Sequence, residues 1–451
     1  MNATPKNTRK LHVVTHGCQM NVYDSARMAD VLAPLGYTTV DSPEGADMVI
    51  MNTCHIRERA AEKVFSALGR LRDLKEAGGG TMMIAVTGCV AQAEGDILLQ
   101  RAPYVDLVVG PQAYHRLPEL IAQVHRTRKS AIDTDFPAEK KFDFLPDEAA
   151  AQGVIANLTI QEGCDKFCSF CVVPYTRGSE ASRPAASIIA EAKRMVALGT
   201  REIALLGQNV NAYHGEGLDG RGWSLARLMA ELAEIPGLLR LRYTTSHPSD
   251  MTEDLILAHR DNPALMPFLH LPVQSGSDKM LAAMNRKHKA DDFRAIVARL
   301  REVRPDMAFT SDFIVGHPGE TDADFAATMA LIRETEFALA YSFKYSPRPG
   351  TPAAGLPQLD DALMDARLYE LQAELRRQQD AFNASTVGLV TPVLFTGLGR
   401  YPGQIAGRSL YAQPVVVESP EALTGEIKMV KITHANPNSL LGSLKKEVLA
   451  A

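Results

Sequence analysis

Short apolar runs alternate with amphipathic stretches along the first 125 or so residues of the chain. Leu11–Thr15, Asp47–Met51, Met82–Val86 and Val105–Gly110 each have the length and apolar character of a buried strand. Helical patterns fill the intervals, from about Tyr23 to Leu35, from about Glu58 to Lys75, and after Cys89 to about Arg101. Strands and helices alternating at this period predict a doubly wound parallel sheet, whose ligand crevice lies at the carboxyl ends of the strands.

Residues from about 126 to 150, with Pro137, Lys140-Lys141 and Pro146, break the pattern and read as a charged, irregular linker. The alternation then resumes. Val154–Ile160, Glu202–Leu206, Leu239–Thr244, Phe268–Pro272, Ala308–Val315 and Ala340–Ser346 are six candidate parallel strands, which predict an open (β/α)6 barrel. A charged helix from Leu359 to about Phe382 closes this part. Thr391–Thr396, Gln404–Arg408, Pro414–Val417 and Glu426–Thr433, separated by Gly and Pro, predict a small all-β barrel. The expected fold class is therefore α/β, with three domains at 9–126, 150–382 and 385–447.

Composition changes this picture little. With 451 residues, 46% of them hydrophobic and 22% charged, several globular cores are expected. No apolar run approaches the roughly 18–20 residues that span a bilayer, and the polar, basic start carries no secretory signal. A cytoplasmic, membrane-free protein is expected, in which thiols stay reduced. A formal net charge of −5 excludes a globally basic nucleic-acid binder. The tail alone carries six basic residues (Arg400, Arg408, Lys428, Lys431, Lys445, Lys446) against four acidic ones (Glu418, Glu421, Glu426, Glu447), a weak local excess.

The six cysteines carry the chemistry, in two sets of three. Cys164, Cys168 and Cys171 lie within eight residues, after the first strand of the second domain. Cys18, Cys54 and Cys89 are 36 and 35 residues apart, each just past a predicted strand, so the fold itself would bring them to one sheet edge. The Cys-x3-Cys-x2-Cys spacing fits neither an ordinary four-cysteine ferredoxin nor a structural zinc site. It resembles the radical S-adenosylmethionine (SAM) signature Cys-x3-Cys-x-aromatic-Cys, with Phe170 as the aromatic. Three thiolates leave one iron of a cluster open. His16 and His55 flank two of the cysteines, but their position favours local hydrogen bonding over ligation. Met82-Met83 reads as core, and Trp223 gives no chemical signal.

The surrounding residues extend the resemblance. Gly17-Cys18-Gln19-Met20-Asn21, Asp24-Ser25, Asn52-Thr53-Cys54-His55-Ile56-Arg57-Glu58 and Gly88-Cys89-Val90-Ala91-Gln92 are similar to the N-terminal domain of the methylthiotransferases. Glu162–Cys168, Val172–Gly178, Leu206–Asn211, His270–Ser277 and Asp312–Gly316 resemble the same family's radical SAM core, and the tail from about Ser385 to Glu447 resembles its RNA-binding TRAM barrel. Gln19-Met20-Asn21 matches the MiaB-type branch, the tRNA-2-methylthio-N6-dimethylallyladenosine synthases. A branch acting on a ribosomal-protein aspartate carries Pro-Lys-Asn there, and one acting on threonylcarbamoyladenosine carries Lys-Val-Asn. Two departures stand out. Ser179-Glu180-Ala181-Ser182-Arg183 replaces a more basic stretch, and His317 stands where Phe is common.

The resemblance implies two [4Fe-4S] clusters, a SAM-cleaving one on Cys164, Cys168 and Cys171 and a sulfur-carrying auxiliary one on Cys18, Cys54 and Cys89. It also implies two SAM molecules per turnover and a tRNA anticodon loop as partner. The chain is expected to act as a monomer, with a separate electron donor and sulfur source. Phe170, Gln208 and Gln274 are the expected SAM contacts. Arg177 and Arg183 are expected either at substrate or SAM or as solvated surface residues. No side chain is expected to act as acid or base.

Overall fold

A computed structural model describes residues 8–54, 60–136, 141–146 and 151–445. His55 to Glu58 of the second cysteine motif, Pro137 and Lys140 of the expected linker, and Lys446 and Glu447 of the tail lie outside the described residues. The chain divides into two compact units. The first holds residues 1–150 together with 162–165 and 172–181, and the second holds 151–161, 166–171 and 182–451.

The first unit is a parallel sheet flanked by helices. Its elements run β1 (Arg9–His16), α1 (Gln19–Leu32), β2 (Tyr37–Thr39), β3 (Met48–Thr53), α2 (Ala60–Ala77), β4 (Met83–Gly88), α3 (Cys89–Arg101), β5 (Leu107–Val109), α4 (Leu117–Thr127) and β6 (Ala131–Asp133). Spatial order is β2-β1-β3-β4-β5-β6, all parallel. The central strands β3 and β4 are buried at every position, which is why they read as continuous apolar runs. Successive residues serve opposite faces. Met48, Ile50 and Ala85 pack with Met28, Leu32, Leu117 and Ile121, whereas Val49, Met51, Ile84 and Val86 pack with Val64, Leu68, Leu71, Val90 and Leu98.

The expected linker is partly structured. Residues 131–133 form the edge strand β6, and 141–144 form a 3-10 turn in which Lys141 is fully buried. Both were hidden because a three-residue strand is too short for periodicity, and the partners that permit Lys burial are remote in sequence.

Two-residue strands β8 (Gln161–Glu162) and β9 (Ala181–Ser182) and the short helix α5 (Val173–Arg177) flank the close cysteine triplet in sequence, after β7 (Ile155–Thr159). The second unit continues α6 (Ala185–Ala197), β10 (Glu202–Leu206), α7 (Leu225–Ala233), β11 (Arg240–Thr244), α8 (Glu253–Asp261), β12 (Phe268–His270), α9 (Asp278–Ala283), α10 (Ala290–Val303), β13 (Ala308–Val315), α11 (Asp322–Thr335), β14 (Leu339–Lys344) and α12 (Asp361–Ser385). Two parallel three-strand ladders, β7-β10-β11 and β12-β13-β14, are joined by a single bridge between Leu241 and Leu265. The six strands thus form the open (β/α)6 barrel, its loops converging at the strands' carboxyl ends.

After α12, β15 (Val390–Leu398), β16 (Gln404–Arg408), β17 (Pro414–Glu418), β18 (Ile427–Asn436) and β19 (Ser439–Leu444) close a five-stranded barrel around Val393, Phe395, Ile405, Val415, Val430 and Ile432. The sequence pattern showed four of these strands. β19, which completes the closure between β17 and β18, is interrupted by Gly442 and Ser443. The guanidinium of Arg240 on β11 donates to the carbonyls of Pro392 and Arg408, both at 2.9 Å, anchoring this barrel to the larger one. Among the described residues no helix is long and apolar enough to cross a membrane.

One buried pair in the second unit sets a pH response. His259 Nε2 lies 2.8 Å from the Tyr243 hydroxyl, and burial, aided by the Arg304 cation, holds its pKa at about 3. An unfolded histidine takes up its proton near 6.5. Between these values the unfolded state binds more protons, so stability is complete above 6.5 and falls as pH drops, by at most about 1.4 kcal/mol per pH unit. The melting temperature of the second unit should decline from pH 6.5 to 4, and less steeply in a His259→Gln protein.

Candidate active site

Strand register decides where the wide cysteine triplet lies. In the sheet His16 pairs with Thr53 and Thr53 with Gly88, so β1, β3 and β4 end level with one another. Cys54 and Cys89 are the next residues after β3 and β4, and Cys18 is the N-cap of α1, two residues beyond β1. The order β2-β1-β3 reverses direction between β1 and β3, so Cys18 and Cys54 flank the point where doubly wound sheets open a crevice. The sheet therefore brings three cysteines from a 72-residue span to one edge.

A buried polar web holds that edge. Asn21 Nδ2 donates to Asn52 Oδ1 and to the Thr53 carbonyl, both at 3.0 Å. Asn52 Nδ2 answers to the Asn21 carbonyl at 2.8 Å and to Ser25 Oγ at 3.0 Å. Thr53 Oγ1 donates to the Thr87 carbonyl at 2.6 Å. Asn21, Ser25 and Asn52 of the motifs thus tie α1 to the strand ends.

Backbone geometry adds to this. Gly88 has φ +87°, and a Cβ there would run into the Thr53 carbonyl and come within 2.5 Å of Asn52 Oδ1. A Gly88→Ala protein should lose about 1–3 kcal/mol from the backbone conformation alone, with more from the clash. The expected readouts are a lower melting temperature for the first unit and faster alkylation of Cys89.

The Cys18 thiol feels the Arg177 cation. Cys18 is exposed, while Cys54 and Cys89 are buried. A hydrogen bond with Cys54, the Arg177 cation and the backbone amides of Asn21 and Met20 pull the Cys18 thiol down to about 6, against the cost of desolvation. Cys18 Sγ also lies 3.3 Å from Asn21 Oδ1. A depressed thiol of this kind is a ready metal ligand.

Arg177 is fully buried. Its Nη2 meets Asp24 Oδ2 at 2.8 Å and its Nη1 meets Glu162 Oε1 at 2.5 Å. Lys141 Nζ completes a square, 2.7 Å from Glu162 Oε1 and 3.5 Å from Asp24 Oδ1, under the ring of Tyr114. Arg183 is buried too, paired with Glu191 Oε2 at 2.7 Å and with the Thr159 carbonyl. Neither arginine is solvated, and both already have protein partners.

Around the close triplet, Cys164 is half-buried in the first unit, its backbone N–H donating to the Gly178 carbonyl at 3.2 Å. In the second unit Cys168 is buried and Cys171 half-buried, and Cys171 N donates to the Cys168 carbonyl at 2.9 Å. Phe170 is half-buried. Gln208 lies two residues beyond β10, its backbone N–H bound to Gln161 Oε1 at 2.9 Å. Gln274 follows β12 at φ +77°, bridged by its backbone to Asp312 and Ile314. Both glutamines thus stand at the carboxyl ends of barrel strands. His317 is buried, with Nε2 3.2 Å from Ser169 Oγ and its ring edge-on to Tyr345. That hydroxyl contact is one a phenylalanine would lack.

Among the described residues, no three His, Cys, Asp or Glu side chains converge tightly enough to enclose a single metal ion. Each set offers three sulfur donors, the donor type that iron–sulfur clusters take, and a cluster of several irons holds its ligands further apart than one ion does.

Three family models match the chain in sequence order. Residues 10–110 match an uncharacterized protein family, UPF0004. Residues 158–332 match the radical SAM superfamily, and residues 384–445 match the TRAM domain. Among solved structures the chain resembles the radical S-adenosylmethionine methyltransferase TsrM from Kitasatospora setae, bound to its tryptophan substrate and a SAM analogue. The TM-score is 0.58 at 13% identity, over 77% of this chain and 75% of that one. It also resembles the cobalamin-dependent S-adenosylmethionine radical enzyme OxsB with aqua-cobalamin and SAM bound, with a TM-score of 0.55 at 11% identity over 82% of this chain and 56% of that one. At these identities the likeness is one of fold. A UPF0004 region, a radical SAM α/β domain and a TRAM barrel, in this order, form the domain architecture typical of methylthiotransferases.

Proposed function

We propose that this protein adds a methylthio group to C2 of N6-isopentenyladenosine at position 37 of tRNA, beside the anticodon. In this reading Cys164, Cys168 and Cys171 hold a SAM-binding [4Fe-4S] cluster, and Cys18, Cys54 and Cys89 hold an auxiliary one. Bound together, the clusters and two SAM molecules supply an organic radical and a methylated sulfur, chemistry that no side chain offers at an unactivated aromatic C–H bond.

The chain's own residues supply position and environment. The level ends of β1, β3 and β4 hold one set of thiols, and the web around Asn21 and Asn52 fixes their approach. The Arg177 cation favours the thiolate form of Cys18. Phe170, Gln208 and Gln274, from the cysteine loop and two strand ends, are the residues assigned to SAM. The TRAM barrel is assigned to the RNA, where an anticodon loop presents unstacked bases that protein can reach.

The observation that carries the reading is the gathering of Cys18, Cys54 and Cys89 on one sheet edge in a chain that also has radical SAM and TRAM domains. Gln19-Met20-Asn21 favours isopentenyladenosine over a ribosomal-protein aspartate or threonylcarbamoyladenosine. Mass spectrometry of tRNA nucleosides from cells lacking the protein is the test. Loss of the 2-methylthio group with the isopentenyl group retained is expected. Unchanged methylthiolation of isopentenyladenosine would refute the substrate assignment.

A further inference from the structure

The segment from Ala283 to His288 clamps the second unit's share of the cysteine loop. Ser169 N donates to the Met284 carbonyl at 3.0 Å, and Ser169 Oγ donates to that of Ala283 at 2.8 Å. Asn285, at φ +55°, turns its side-chain amide onto the carbonyls of Lys166 and Phe167, at 3.2 and 2.9 Å. Arg286 comes next. Its Nη2 donates to the Pro272 carbonyl, its Nη1 lies 3.8 Å from Cys168 Sγ, and its Nε is buried with no hydrogen-bond partner.

This guanidinium is only 9% exposed, and among the described residues no carboxylate pairs with it. Its titratable neighbours do not neutralise it. His247 and His288 meet edge-on with ring centroids 5.4 Å apart. Burial, reinforced by the Arg286 cation, holds His247 at about 2 and His288 at about 4, so both rings are neutral. Nε2 of His247 and both ring nitrogens of His288 lack partners. Asp278 and Asp292 bear on His288 and Lys166 on His247, and among the described residues neither carboxylate forms an ion pair with Arg286.

A buried cation without a counter-charge costs several kcal/mol. Arg27, Arg177, Arg183, Arg240 and Arg367, the other buried arginines among the described residues, each have a carboxylate within 4 Å. Arg286 instead faces a sulfur. A set of thiolates on an iron–sulfur core is anionic, and its charge would answer the guanidinium where no protein group does.

We propose that Arg286 is the counter-ion of the metal centre that Cys168 helps to hold, donating an N–H to the Cys168 sulfur and raising the potential at which that centre accepts an electron. A nearby cation and an N–H donor both stabilise the reduced, more negative form. Arg286 is thus a positioning and tuning residue, and this role rests on the assignment of the close triplet as a cluster site.

The test uses the full chain carrying Cys89→Ala, which leaves the close triplet as the only complete cysteine set. Protein reconstituted with iron and sulfide, without SAM, is analysed for bound iron and titrated potentiometrically by electron paramagnetic resonance. Arg286→Met and Arg286→Gln should each lower the midpoint potential enough to change the oxidised-to-reduced ratio about tenfold at fixed potential, ~59 mV for one electron. Arg286→Lys should stay closer to the parent. Gln, smaller in its packing effect, carries the comparison if the Met variant misfolds by circular dichroism. An unchanged potential in a folded neutral variant overturns the proposal. So does a shift that appears only after SAM is added, which would make the SAM carboxylate the partner. A parent protein that binds no iron sinks the cluster assignment itself, and the role of Arg286 with it.

Discussion

Replacing Cys89 by alanine should abolish methylthio transfer while SAM is still cleaved at the parent rate. Cys89 opens α3 directly after β4, so its loss removes one buried sulfur without disturbing the strand or the helix start, for which alanine is well suited. The close triplet lies in another loop, some 75 residues further on. Cys168→Ala should behave differently, because it removes a thiol of the set proposed to cleave SAM, and both activities should fall to background. Chromatography of 5′-deoxyadenosine and mass spectrometry of the tRNA product separate the two activities. Normal product formation by Cys89→Ala would remove the sulfur-supplying role from the wide triplet.

The largest expected stability effect is at Arg177. Arg177→Met takes one cation from a square whose four side chains are each no more than 3% exposed, and leaves Asp24 and Glu162 sharing Lys141 alone. Breaking a buried ion network by removing one partner costs about 3–5 kcal/mol, and a domain of this size should melt roughly 10 °C lower. The loss should be concentrated in the first unit, seen as faster amide exchange along α1 and around Glu162. Arg177→Lys, which keeps the charge but loses the two-pronged geometry, should recover part of it. If Arg177→Met melts within a degree or two of the parent, the square is not a structural lock.

This network also shows where the sequence stops being informative. The alternation of apolar runs exposed both parallel folds, because buried strands and amphipathic helices leave a periodic trace. The position of each wide-set cysteine just past a strand exposed the shared edge. Lys141 left no such trace. It stands in a polar, Pro-bounded stretch, and its carboxylate partners are 117 and 21 residues away, so nothing local distinguishes it from a solvated lysine. Arg177 and Arg183 were equally illegible, since burial of a charge depends on what the fold brings opposite. The motif residues Asn21, Asn52 and Ser25 could be recognised as a pattern, but only the structure shows that they bind one another. The edge strands β2 and β6 were too short to see, and β19, inside the closed barrel, was too Gly-interrupted.

The level ends of β1, β3 and β4 have a consequence for how the protein matures. The close triplet is local, so an unfolded chain can wrap its three thiols around iron at little cost in loop closure. The wide triplet must close two loops of about 35 residues, and the sheet does that work by setting its strands in register. Under the proposed assignment, iron at the wide site would therefore be a certificate of a folded sheet, whereas iron at the close site would not. In a chain emerging from the ribosome, the first three cysteines to be synthesised would be the ones unable to bind until their neighbours had paired.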